Sequence, residues 1–182
     1  MPALSLEYLQ KYKKNHNVFV ETGTYLCQTV DNALASGFSR VLTVELDRNM
    51  FDQAFLKYQK VNAVKVWHAD SGEALGCMLA EVKEPALIFL DAHYCGAGSK
   101  TAISDVWIPV KKELEHVAQH PIKTHTIIVD DMKAMDNVHF DETSQRWVGG
   151  PTIEGVIERL RQINPGYKIE LDQAADRIVA SV

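Results

Sequence analysis

A chain of 182 residues with 46% hydrophobic and 24% charged residues has the balance of an ordinary soluble globular protein. At this length a chain buries roughly 70% of its unfolded surface, so a small scaffold stapled by disulfides is excluded and a single domain over residues 1–182 is expected. A net charge of −5 with no run of five Lys or Arg gives no attraction to a phosphate backbone or an anionic bilayer. Neither nucleic acid nor membrane is expected as a partner. Cys27, Cys77 and Cys95 stand at unrelated spacings, without a CxxC zinc motif, and read as reduced thiols. The opening MPALSLEYLQKYKKNHN has no apolar core of signal-peptide length, and the longest apolar stretch, Ala86–Leu90, is too short to cross a bilayer. The expected location is the cytoplasm.

In chain order, a short helix is expected around residues 4–14. Apolar runs at 18–20, 41–45, 64–67, 86–90 and 126–129 are short enough for buried strands. Between them, apolar residues recur at helical spacing, as in Leu75, Met78, Leu79 and Val82, or Val110, Leu114 and Val117. Strands alternating with helices predict a parallel sheet covered on both faces, an α/β, doubly wound, Rossmann-like fold. The last third breaks the pattern. A helix over 152–163, opened by Pro151, leads through Asn164-Pro165-Gly166 into two strands, 167–171 and 177–182, close enough for an antiparallel hairpin. That ending differs from the dinucleotide-binding fold, whose sixth strand arrives through another helix.

Ligands of open α/β sheets bind beyond the carboxyl ends of the strands, and here those ends are acidic: Glu21, Glu45 with Asp47, Asp70, Asp91, and Asp130 with Asp131. One carboxylate at such a place often caps the next helix, whereas a whole set converging on one rim points to a ligand site. The turn from Glu21 to Thr29 carries Gly23, which permits a sharp bend and a close backbone approach ahead of a helix whose N–H groups are open to an anion. Neither GxGxxG nor GK[ST] is present, which argues against NAD and ATP. Glu45 lies 22 residues beyond Gly23, where an acid accepts from both hydroxyls of a ribose, and Asp70 follows where an adenine amino group would be held. The expected ligand is an adenosine compound without a pyrophosphate.

From residue 18 to the final hairpin the sequence resembles the seven-stranded class I S-adenosylmethionine-dependent methyltransferases. Glu21, Gly23 and Thr29 match the ExGxxxGxT/S form of the first motif in the catechol- and macrocin-type O-methyltransferases, and Cys27 departs, standing at the second glycine. The resemblance implies that Glu21, Thr22, Gly23, Thr24, Tyr25, Thr29, Glu45, Asp70, Ser71 and Asp91 bind the cofactor, with Glu21 and Gly23 near its methionine end, Glu45 on the ribose, and Asp70 with Ser71 near the adenine. In the metal-dependent branch an Asp ending the fourth strand and two residues ending the fifth hold a divalent cation. These fall on Asp91, Asp130 and Asp131, with Mg²⁺ as the expected ion, and three close carboxylates are in any case a set whose repulsion a hard cation relieves. The macrocin-type branch gives the proton-accepting role to the residue two positions after the fourth-strand Asp, here His93, whose imidazole titrates near neutral pH; Asp91 stands beside it as the second catalytic residue.

Residues 95–104 and 134–150 show no periodicity and follow the fourth and fifth strands, so they are expected over the site. Gly96, Gly98, Gly149 and Gly150 make them pliable, and Trp107, His139, Phe140, Arg146 and Trp147 are candidates to touch an acceptor, while Trp67 reads as core. The expected activity is metal-assisted methyl transfer to a hydroxyl of a small molecule. Two alternatives stay open: an S-adenosylmethionine-binding module without catalysis, and a metal-dependent hydrolase on the same sheet.

Overall fold

The computed structural model describes residues 3–93, 102, 108–136, 139–142, 146–148 and 150–182, with backbone alone for 139–141 and 146–148. The elements are α1 (Leu6–Lys13), β1 (Val18–Thr22), α2 (Gln28–Ala35), β2 (Arg40–Glu45), α3 (Arg48–Tyr58), β3 (Val64–His68), α4 (Ser71–Ala80), β4 (Ala86–Leu90), α5 (Val110–Gln119), β5 (Thr126–Val129), β6 (His139–Asp141), β7 (Arg146–Val148), α6 (Ile153–Ile163), β8 (Lys168–Asp172) and β9 (Arg177–Ser181). Seven strands form one sheet in the order β3-β2-β1-β4-β5-β9-β8. The first five are parallel, and β9 runs antiparallel to both β5 and β8. The order reverses between β1 and β4, so the switch point of the sheet lies at their carboxyl ends, where such folds open a crevice.

Strand alternation builds two cores. Val18, Val20, Ile88, Leu90, Ile127 and Val129 face α4, α5 and α6, and Phe19, Leu87, Phe89 and Ile128 face α1, α2 and α3. The helices begin where short polar side chains take the first open N–H groups. Ser5 accepts from Tyr8, Asp47 from Asn49 and Met50, Asp70 from Gly72, and Thr152 from Gly155. Thr152, expected as the first helical residue, is thus the cap of α6.

The expected C-terminal hairpin is present, pairing Lys168 with Ser181 and Asp172 with Arg177. Residues 134–150 differ from the expected structureless stretch, because β6 and β7 form an antiparallel pair within it. Three-residue strands are too short to leave a period-2 signal. Cys95, Gly96, Gly98, Trp107 and Gly149 lie outside the described residues, as do the side chains of His139, Phe140, Arg146 and Trp147. Trp67 is only half-buried on the edge strand β3, packed against the α4–α6 core with Lys65 Nζ 4.4 Å from its ring centroid.

The opposite rim of the sheet holds buried histidines. The Ala86 N–H donates to His125 Nδ1 at 3.0 Å, so His125 carries its proton on Nε2 and donates to His120 Nδ1 at 2.9 Å; His120 Nε2 in turn faces Val82 O at 3.3 Å. His16 spans Pro85 O and Thr126 Oγ1 beside them. No helix among the described residues is long and apolar enough to cross a membrane.

Candidate active site

β1 sends its last two side chains to opposite faces. Glu21 lies in register with Thr43 of β2, whose hydroxyl donates to Glu21 Oε2 at 2.8 Å. Thr29 hydrogen-bonds the same carboxyl, and Thr24 Oγ1 lies 2.6 Å from Thr43 Oγ1. Complete burial holds the Glu21 carboxyl well above the usual carboxylate range. Thr22, on the other face, accepts the Asp91 N–H at 3.1 Å and so ties the end of β1 to the end of β4.

Gly23 follows with φ +83°, and a Cβ there would lie 2.7 Å from Asp91 O. The approach of the two strand ends therefore requires glycine. The N–H groups of Gly23 and Thr24 donate to Val44 O, and that of Tyr25 donates to Glu45 Oε2 at 2.8 Å. These three amides are satisfied within the fold. Cys27 adopts φ +67°, the left-handed conformation a glycine would supply, and its carbonyl accepts from Tyr58 Oη at 3.2 Å. The departure from the motif changes the side chain and leaves the backbone path. Tyr25 is half exposed at the tip of the turn.

The acidic rim divides into two groups. Asp47 and Asp70 spend an oxygen as helix caps, while Glu45 accepts from the N–H groups of Tyr25 and Asp47 with one oxygen each and is buried. Burial raises its carboxyl above the ordinary value despite those bonds. Ser71, at the start of α4, is buried as well.

Asp91, His93 and Asp131 come together, and the first two also line a cleft. His93 Nδ1 is 2.8 Å from Asp131 Oδ2 and 3.2 Å from Asp91 Oδ1. Asp91 Oδ1 is buried without a hydrogen-bond partner, and burial raises the Asp91 carboxyl above its ordinary value, against the pull of His93. Among the described residues, these three offer ligand atoms within 4.8 Å of one another. Asp130, expected as the third metal-binding carboxylate, is placed otherwise: its Oδ1 accepts from Arg177 Nε at 2.9 Å in a buried ion pair. Asp130 follows Val129 on β5 and so turns to the α1 face with Arg177, whereas Asp131 leaves the strand through a left-handed φ of 58° and reaches His93.

Sequence reading missed two residues. Arg177 is the one charged side chain of β9, ahead of the apolar run at 178–180, and that contrast was its signal. Glu113 sits on α5 between Val110, Leu114 and Val117, on the buried stripe of the helix, and a charge on an apolar stripe was the sign to follow. A small, partly open cleft is walled by Asp91, His93, Glu113 and Asp130 among apolar neighbours that include Leu90, Ile108 and Val129.

No protein-family model and no curated protein matches the chain. Solved structures match in fold. A candidate caffeoyl-CoA O-methyltransferase from Staphylococcus aureus aligns with a TM-score of 0.61 and 17% identity over 100% of this chain and 85% of that one. A candidate methyltransferase from Thermobifida fusca YX gives 0.63 and 13% over 97% and 76%, and the SAH-bound methyltransferase PaMTH1 of Podospora anserina gives 0.54 and 16% over 96% and 74%. The fold is the seven-stranded, Rossmann-like fold of class I S-adenosylmethionine-dependent methyltransferases.

Proposed function

We propose that the protein transfers a methyl group from S-adenosylmethionine to a hydroxyl of a small molecule, with a divalent cation assisting. The observation that carries this reading is the imidazole of His93 held against Asp131 and Asp91 beside a cleft at the carboxyl ends of β4 and β5 in a methyltransferase fold. The residues fit both groups. Gly23 clears side chains from the junction of β1 and β4, and Glu45 and Asp70 offer acceptor oxygens to the donors of a nucleoside. Asp91 and Asp131 supply oxygen ligands, one of them buried without a hydrogen-bond partner, which suits a hard ion such as Mg²⁺. When bound, the cofactor supplies an electrophilic methyl carbon, and the cation supplies positive charge that favours the ionised form of a nearby hydroxyl.

The remaining work belongs to the chain. A carboxylate accepts, so His93 carries its proton on Nδ1 toward Asp131, which leaves Nε2 as the basic nitrogen of the neutral ring. Nε2 takes the proton of the acceptor hydroxyl, and the Asp131 charge favours the imidazolium that results. Glu45, fixed by two backbone N–H groups, binds the ribose hydroxyls, with Asp70 and Ser71 at the adenine end. By fixing the cofactor through Glu45 and the acceptor hydroxyl beside His93, the chain would supply much of the rate gain by positioning.

Calorimetric titration with S-adenosylhomocysteine, with and without Mg²⁺, followed by label transfer from S-adenosylmethionine to a panel of hydroxylated small molecules, tests the reading. Micromolar binding, about −8 kcal/mol, and a labelled ether whose yield falls on chelation are expected. Absence of binding in both buffers sinks it.

A further inference from the structure

Glu113 is 1% exposed and lies in the apolar stripe of α5. The hydroxyls of Thr22 and Ser71 hydrogen-bond its side chain, but Oε1 is buried with no partner. An unpaired buried acceptor is costly, and such groups in a native fold call for an explanation. Burial, with Asp70 and Asp91 nearby, pushes the Glu113 carboxyl up to about 7. Glu113 also forms part of the wall of the cleft, where, among the described residues, the other polar walls are Asp91, His93 and Asp130 and no lysine or arginine takes part. A ligand that completes such a wall brings hydrogen-bond donors.

We propose that Glu113 is a further binding residue of the cofactor site, accepting through Oε1 a hydrogen bond from an N–H group of the bound molecule. The inference rests on the methyltransferase reading. An S-adenosyl compound carries N–H donors at two places, the adenine amino group and the ammonium of its amino-acid end. Thr22 and Ser71 hold the carboxyl from the ends of β1 and the start of α4, so the acceptor is set in place before the ligand arrives, and little ordering is left to the binding step.

The test is calorimetry at neutral pH on wild type and Glu113→Gln with two probes. One is S-adenosylhomocysteine; the other is 5′-methylthioadenosine, which keeps the adenine and lacks the amino-acid end. Glutamine preserves the size of the side chain and its bonds to Thr22 and Ser71, and the melting temperature reports whether the fold is kept. A loss of about tenfold or more in S-adenosylhomocysteine affinity is expected, the scale of one buried hydrogen bond. Weakening of both probes assigns the donor to the adenine, and weakening of S-adenosylhomocysteine alone assigns it to the ammonium. Equal affinities of wild type and variant for both probes overturn the inference and leave the methyltransferase reading standing. A wild-type chain that binds neither probe overturns that reading and the inference with it. If Glu113→Gln does not fold, Glu113→Asp, which withdraws the carboxylate by one methylene, is read by the same outcomes.

Discussion

Arg177 Nε lies 2.9 Å from Asp130 Oδ1, with the two side chains only 5% and 4% exposed, and this pair joins the last strand of the fold to the rim of the site. The guanidinium also covers the rings of Tyr8 on α1 and Phe89 on β4 at 4.8 and 5.7 Å, and the Tyr8 hydroxyl donates to Asp172 on β8. One buried cation therefore connects α1, the C-terminal hairpin and the carboxyl ends of β4 and β5.

Removing that cation strands a buried carboxyl. Arg177→Met is expected to lower the unfolding free energy by roughly 3–5 kcal/mol, while Asp130→Asn with Arg177→Met recovers most of it, because a buried pair replaced by uncharged groups is often close to neutral. Urea unfolding of the single and double variants decides. A loss below about 1 kcal/mol in the single variant contradicts the structural weight given to the pair.

Gly23 and Gly37 make a controlled comparison. Both have positive φ, +83° and +82°, yet a Cβ at Gly23 would meet Asp91 O at 2.7 Å and one at Gly37 would meet nothing within 4 Å. Gly37→Ala is expected to cost about 1 kcal/mol through backbone conformation alone. Gly23→Ala must also separate the ends of β1 and β4, so it should cost at least twice that and weaken S-adenosylhomocysteine binding about tenfold. Equal losses in melting temperature with unchanged affinity would contradict the tight approach.

The histidines of the opposite rim predict acid sensitivity. Burial lowers the His125 pKa from 6.5 to about 4, with His120, His16 and Lys123 adding to the shift. Between those values the unfolded chain binds a proton that the folded chain refuses, so this contribution to stability is complete above about pH 6.5 and is lost as the pH falls toward 4. Glu113, raised to about 7, acts with the opposite sign: the folded chain holds its proton, and that contribution fades as the pH rises through 7. The histidine part is isolated by comparison with His125→Asn, whose Oδ1 still accepts from Ala86. The wild-type advantage over the variant should shrink by about 3 kcal/mol at most between pH 7 and pH 4.5. A constant difference across that range rules the mechanism out.

His93 cannot keep its Nδ1 proton and also bind a metal through Nδ1, because Asp91, Asp131 and that nitrogen converge within 4.8 Å. Mg²⁺, which prefers oxygen, is expected to support turnover, whereas Zn²⁺, which favours imidazole, is expected to inhibit by capturing the base. His93→Gln should lower turnover about 10²-fold or more and leave S-adenosylhomocysteine affinity within about threefold. Unimpaired turnover in the variant, or Zn²⁺ acting as well as Mg²⁺, removes His93 from the proton-transfer role.

The alternation of strands and helices, the acidic strand ends and the glycine turn were all readable along the chain, because each depends on a local period or on the conformation of one residue. Apolar runs such as Ala86–Leu90 make buried strands wherever the sheet lies, and a strand end followed by Gly23 places Glu21 at the rim. Which carboxylates would share a partner was not readable in this way. Asp130 and Asp131 are neighbours in sequence, but one faces Arg177 from β9 and the other reaches His93, since strand alternation and a left-handed turn separate them. Glu113 stands on the apolar stripe of α5, but only packing shows that this position meets Thr22, Ser71 and the cleft. Local pattern determined the fold and the rim that carries the site, because period and conformation act over a few residues. The pairing of charges was decided only in three dimensions, because a buried charge takes its partner from whatever distant strand the sheet order brings beside it.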